Sequence, residues 1–88
     1  MNINVYSIFD HKAGIYSQPF YAINADVAAR MFADLANDKS TSIGKHPADF
    51  TLTGLGVFDD GLGRFDNFDH PEHLMNAVQL VERANDEK

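Results

Sequence analysis

The sequence predicts a small α+β domain, an antiparallel sheet covered by two helices in the order β-β-α-β-β-α. Three observations predict it. Residues 2–9 and 50–58 concentrate β-branched and aromatic types, the composition of a pleated, half-buried surface. Residues 25–37 instead place Val27, Ala28, Met31, Phe32 and Leu35 at helical spacing, one apolar stripe down an amphipathic helix. Finally, Asp10 to Gly14 and Asp59 to Gly63 supply the Asp and Gly that tight reversals need. At 88 residues the chain is one domain spanning 1–88, too short to divide into two cores.

The first strand covers Asn2 to Phe9, where Ile3, Val5, Tyr6, Ile8 and Phe9 concentrate β-branched and aromatic types between polar residues; its position points to the sheet interior. After the turn, Ile15 to Ala22 is the return strand. Pro19 within it lacks an N–H, so an edge position or a bulge is expected there. Asn24 is the expected N-cap of the helix to Asn37, and Asp26 suits its first turn. A polar loop follows, and His46-Pro47-Ala48-Asp49 reads as one short turn. The central strand starts at Phe50. Phe50 and Leu52 share a parity that Leu55 and Val57 oppose, so a bulge near Gly54 or Gly56 is expected. A short strand from Arg64 to Phe68 returns. Asp69, Pro71 and Glu72 then resemble a helix start, with Leu74, Ala77, Val78, Val81 and Ala84 as the stripe of a second helix and a frayed tail at 85–88.

Composition narrows the function. No cysteine is present, so no disulfide framework and no thiolate chemistry are available. No run approaches a membrane span and the first residues do not read as a signal peptide, so the expectation is a protein without a membrane role that stays where it is made. Thirteen acids against seven bases give a net charge of −6, which opposes diffuse attraction to nucleic acid. Any such contact must be local.

Catalytic patterns are absent from the reading. The acidic turn at Asp59 to Asp66 lacks the alternating oxygen ligands and terminal glutamate of a calcium loop, His70 and His73 lack a third zinc ligand, and the glycines do not match a phosphate loop. The expectation is therefore no enzyme, no metal and no cofactor. Lys12, Lys39, Lys45 and Arg64 fall in predicted loops beside Tyr16 and Tyr21. Cations that pair with phosphate and aromatic faces that stack on bases hold single-stranded nucleic acid; equally, such lysines are solvated loop residues and such tyrosines half-buried sheet residues.

Asp10, Lys12-Ala13-Gly14, Pro19-Phe20, Ala29-Arg30-Met31-Phe32, Lys45-His46-Pro47 with Asp49-Phe50, and Leu55-Gly56 followed by Phe58-Asp59-Asp60 and Gly63 resemble, in order and spacing, the small non-structural protein of gokushoviruses. Those microviruses (Microviridae) are bacteriophages with single-stranded circular DNA genomes, and the protein is often labelled a DNA-binding or DNA-synthesis protein. The resemblance spans Met1 to Gly63. It implies a phage protein of the host bacterial cytoplasm, absent from the virion, acting in genome replication or the switch to packaging. Within that expectation, Lys12, Lys45 and Arg64 are the candidates for phosphates and Tyr16 and Tyr21 for bases. The competing expectation is an acidic homodimer that binds the phage replication initiator or a host replication factor without touching DNA; its support is the net charge and the abundance of aromatics.

Overall fold

In the computed structural model, which describes residues 1–82, strand β1 (Asn2–Asp10) runs up the middle of an antiparallel sheet. Apolar residues lie on both parities of β1, one facing the core and the other the second face of the sheet. Its even residues Tyr6 and Ile8 enter the core, and Val5 and Ser7 on the other face are also buried. One edge of β1 pairs with two short pieces, β2 (Ile15–Tyr16) and β3 (Phe20–Ala22). The return strand is thus broken where Pro19 was expected to disturb it. The Ser17 hydroxyl accepts from the Ile8 amide at 3.0 Å, so a side chain substitutes for the ladder bond at the break.

Helix α1 (Ala25–Ala36) starts where Asn24 caps it, its side chain accepting from the Val27 amide at 2.9 Å. Ala28, Phe32 and Ala36 are its buried residues, and Leu35 packs against the same cluster. The stripe is rotated from the expected one, since Val27 and Met31 are about 40% exposed (40% and 41%). One further turn of helix, α2 (Ser42–Lys45), is capped by Thr41, and a 3-10 turn at Pro47–Asp49 leads into β4.

Strand β4 (Phe50–Asp59) pairs with β1 along its whole length. The register slips between Val5 and Tyr6, which face Gly56 and Gly54 and leave Leu55 unpaired. This bulge is the expected one, and it returns Val57 to the parity of Leu52.

The C-terminal third corrects the sequence reading. The second helix expected from Asp69 is not formed; Arg64–Asn76 is a single strand, β5, along the outer edge of β4. The helix-start signature of Asp69, Pro71 and Glu72 loses to the unsatisfied edge of the long β4, whose amides and carbonyls need a partner. Pro71 is accommodated because Gly54 pairs with Glu72 and Gly56 with Asn67, leaving 68–71 opposite Leu55 alone, outside the regular ladder. A 3-10 turn at Ala77–Leu80 follows, closed by a capping box between Asn76 and Gln79. Ala77 is fully buried and Leu80 and Val81 pack on the core, so this turn covers ground assigned to the second helix. Asn37 holds it there, donating to the Leu80 carbonyl at 3.0 Å and accepting from the Glu82 amide at 2.7 Å. The helix expected to reach Ala84 and the frayed tail at 85–88 lie in part or wholly outside the described residues. The architecture is α+β with an antiparallel sheet, in which α1 and the core lie on one face of β1 and β4.

Candidate functional site

Among the described residues, no helix covers the opposite face of the sheet. Strand alternation and the pairing register put Ile3, Val5, Ser7 and Phe9 of β1 there, flanked by Tyr16 and Tyr21. Across β4 and β5 the same face presents Thr51, Thr53, Gly56 and Phe58, then Phe65, Asn67, His73 and Asn76. None of these positions is Asp or Glu. The ladder-paired acids of β4 and β5 (Asp59, Asp66, Glu72) fall on the other parity, so a chain of net charge −6 keeps the paired positions of this face free of carboxylates; Asp69, in the stretch 68–71 without ladder partners, shares the parity of Asn67 and His73.

The aromatic rings gather in two groups. At one end the Phe9 and Tyr16 rings lie 4.6 Å apart at 46°, with His11 edge-on to Phe9 at 4.8 Å and His73 at 6.2 Å from His11. At the other end Phe58 and Phe65 lie 5.0 Å apart at 50°, with Tyr21 at 6.4 Å from Phe58. Between them Ser7 and Thr53 are fully buried, and the Thr53 hydroxyl donates to the Ser7 carbonyl at 2.8 Å. Asn76 Oδ1 accepts from the Thr51 hydroxyl at 2.8 Å, and His11 Nε2 lies 2.7 Å from the same hydroxyl oxygen. A hydroxyl has one proton. With it committed to Asn76, His11 donates through Nε2.

Each group is built by a hairpin, and the two hairpins are alike. Phe9-Asp10-His11-Lys12-Ala13-Gly14-Ile15-Tyr16 and Phe58-Asp59-Asp60-Gly61-Leu62-Gly63-Arg64-Phe65 share an aromatic at each end, Asp second and Gly sixth. In both, the Gly amide donates to the Asp carbonyl at 2.7 Å. In both, Asp Oδ1 accepts from the amides two and three residues on, at 2.9 and 3.2 Å. Gly14 and Gly63 have φ of 71° and 66°, a left-handed conformation that glycine adopts without strain. Phe9 consequently pairs with Tyr16 and Phe58 with Phe65.

The structure therefore brings Tyr16 and Tyr21 onto one face but not the three cations. Lys12 sits at the tip of the first hairpin, beside a hollow of about 470 Å³ lined with Asp10, Ser42, His46, Asp49 and Phe50. Lys45 ends α2 next to that hollow and is exposed. Arg64 pairs with Asp59 at the far end of the sheet, on the parity opposite Phe65, in a hollow shared with Asp59 and Asp66. Ten residues of β4 separate the two ends, roughly 30 Å. Sequence reading missed Phe9, His11, Phe58, Phe65 and His73. The signal for Phe9, Phe58 and Phe65 was the repeated octet, whose fourth aromatic end is Tyr16.

Residues 3–80 match the family model described as Phage ORF5 protein. The chain belongs to that family. It is accordingly a phage protein, and the match takes in both hairpins, α1 and the aromatic face. No curated protein and no solved structure matches the chain, so the geometry of this Phage ORF5 family member is the ground on which its function is argued. Among the described residues no three or more His, Asp or Glu side chains gather to hold a metal ion.

Proposed function

We propose that this phage protein is a non-catalytic binding protein that holds single-stranded DNA weakly on the open aromatic face. The observation that supports the reading is segregation of charge: the face that exposes the rings carries no carboxylate at its ladder-paired positions, in a chain with thirteen acids. Unpaired bases stack on such rings, and a carboxylate there would repel the phosphates between them. Tyr16 and Tyr21 are 42% and 47% exposed, available to bases without unfolding anything. Lys12 and Lys45 supply charge at one end. Arg64, on the reverse parity among Asp59 and Asp66, contributes little. Taken with the resemblance to the gokushovirus non-structural protein, the role is in replication of a single-stranded genome, or its switch to packaging, in the host bacterial cytoplasm.

Fluorescence anisotropy with labelled single-stranded and duplex oligonucleotides at low salt tests this. Saturable binding with single-strand preference is expected. Tyr16→Ala and Tyr21→Ala should each weaken it by about 1–3 kcal/mol, the worth of one base stacked on an aromatic ring, while Arg64→Ala stays within about twofold, the scale of a screened surface charge. Absence of binding at low salt would refute the reading.

A second reading is favoured by the outer edge of β5, the last strand of the sheet, next to the acidic hollow at Asp59 and Asp66. An exposed edge pairs readily with another strand. On this reading the protein is an acidic homodimer that docks a phage replication initiator or a host replication factor. Sedimentation equilibrium at micromolar concentration would show a dimer; a strict monomer counts against it.

A further inference from the structure

We infer that the open face holds two base-stacking stations of the same build, one per hairpin, related by a pseudo-twofold axis normal to the sheet between β1 and β4. The inference rests on the single-stranded DNA reading and adds the number of stations, their spacing and their orientation. Its basis is the repeated octet: equal turn hydrogen bonds, equal glycine conformations and equal cross-strand aromatic pairs, 4.6 and 5.0 Å apart at 46° and 50°. Because β1 and β4 are antiparallel neighbours, one hairpin maps onto the other by a half-turn. The partner of Phe58 across the ladder is Ile3, six residues from Phe9, so the stations lie about 20 Å apart at strand rise.

Two consequences follow from this arrangement. A nucleotide or two fills one station, and either station serves. A longer single strand engages both, the second at the high effective concentration of a tethered ligand. A half-turn also reverses the polarity in which a strand meets the station, so one continuous strand meets the two stations in opposite senses. The site therefore has no preferred 5′ to 3′ direction. Such a surface suits coating of single-stranded DNA irrespective of sequence, since every base has a face to stack.

Anisotropy titrations with fluorescein-labelled dT3, dT6, dT9 and dT12 at low salt test the inference, using wild-type protein, Tyr16→Ala and Phe65→Ala. Both side chains are about half exposed (42% and 53%), so both variants should fold, and circular dichroism checks this. The expected affinity rises by on the order of 10- to 100-fold once the oligonucleotide spans both stations. Each variant should abolish the rise while leaving dT3 bound at the remaining station. Attaching the label at the 5′ or 3′ end should give the same curves. A gradual increase with length that neither variant alters would overturn the two-station inference, as would one variant abolishing dT3 binding with the other silent. In both of those cases the protein still binds single strands, and only the inference fails. No binding of dT12 would overturn the single-strand reading and the inference with it.

Discussion

Asp10 and Asp59 perform one task at opposite ends of the sheet. Each gives its carboxylate to two turn amides and its carbonyl to the glycine that closes the loop. Replacing either with Ala should cost about 1 kcal/mol by chemical denaturation, the net worth of the hydrogen bonds lost, and should loosen the aromatic pair beside it. Gly56 is constrained by contact: a Cβ there would strike the Asp66 carbonyl oxygen and lie 2.9 Å from Asn67 Cα. Since these are backbone atoms of a paired strand, Gly56→Ala should destabilise by roughly 1–3 kcal/mol, as overpacking does. Asp38 sets an acid-side dependence. Hydrogen bonds from the Ser40 hydroxyl and then the Ser40 amide hold its carboxyl below the ordinary 3.8. A carboxyl lowered by folding stabilises the fold above its unfolded value and loses that contribution as pH falls through the folded one. The unfolding temperature of wild type should therefore fall more steeply below pH 3.8 than that of Asp38→Asn, whose side chain does not titrate.

At the scale of elements, what was legible in the sequence was what local chemistry decides. Asn24 caps α1 as its residue type requires, the two Asp-to-Gly turns reverse the chain, Pro19 breaks the return strand, and the parity conflict of Leu52 and Val57 locates the bulge. What was not legible depended on distant partners. The 69–76 segment has a helix-start signature and becomes strand because β4 is ten residues long and its outer edge must be paired. The face that each strand presents could not be read either, so Arg64 was grouped with tyrosines from which the register separates it. Phe32, with no exposure, is the centre of the α1 contact. Phe32→Ala should cost about 3–5 kcal/mol through the cavity it leaves, whereas Asn24→Ala should cost about 1 kcal/mol as loss of a cap. Urea denaturation of both measures that ordering.

Across the whole molecule, the distribution of charge matters more than its sum. The chain is acidic enough to repel nucleic acid at a distance, yet the paired positions of the face opposite α1 offer rings, hydroxyls and imidazoles in place of carboxylates. Association should therefore be short-ranged, led by stacking, and only modestly dependent on salt. With Lys12 and Lys45 as the phosphate contacts, the slope of log K against log salt for single strands should be about −1.4, which titrations between low and near-physiological salt will measure. The most direct test of the central claim is an NMR titration of labelled protein with a short oligothymidylate, following backbone amides and aromatic side chains. Shifts should cluster at Phe9, His11, Tyr16, Tyr21, Phe58, Phe65 and His73, with the outer face of α1 and the hollow at Arg64 unmoved. Shifts confined to that hollow or to α1, or none at all, would contradict the assignment of the aromatic face as the DNA-binding surface.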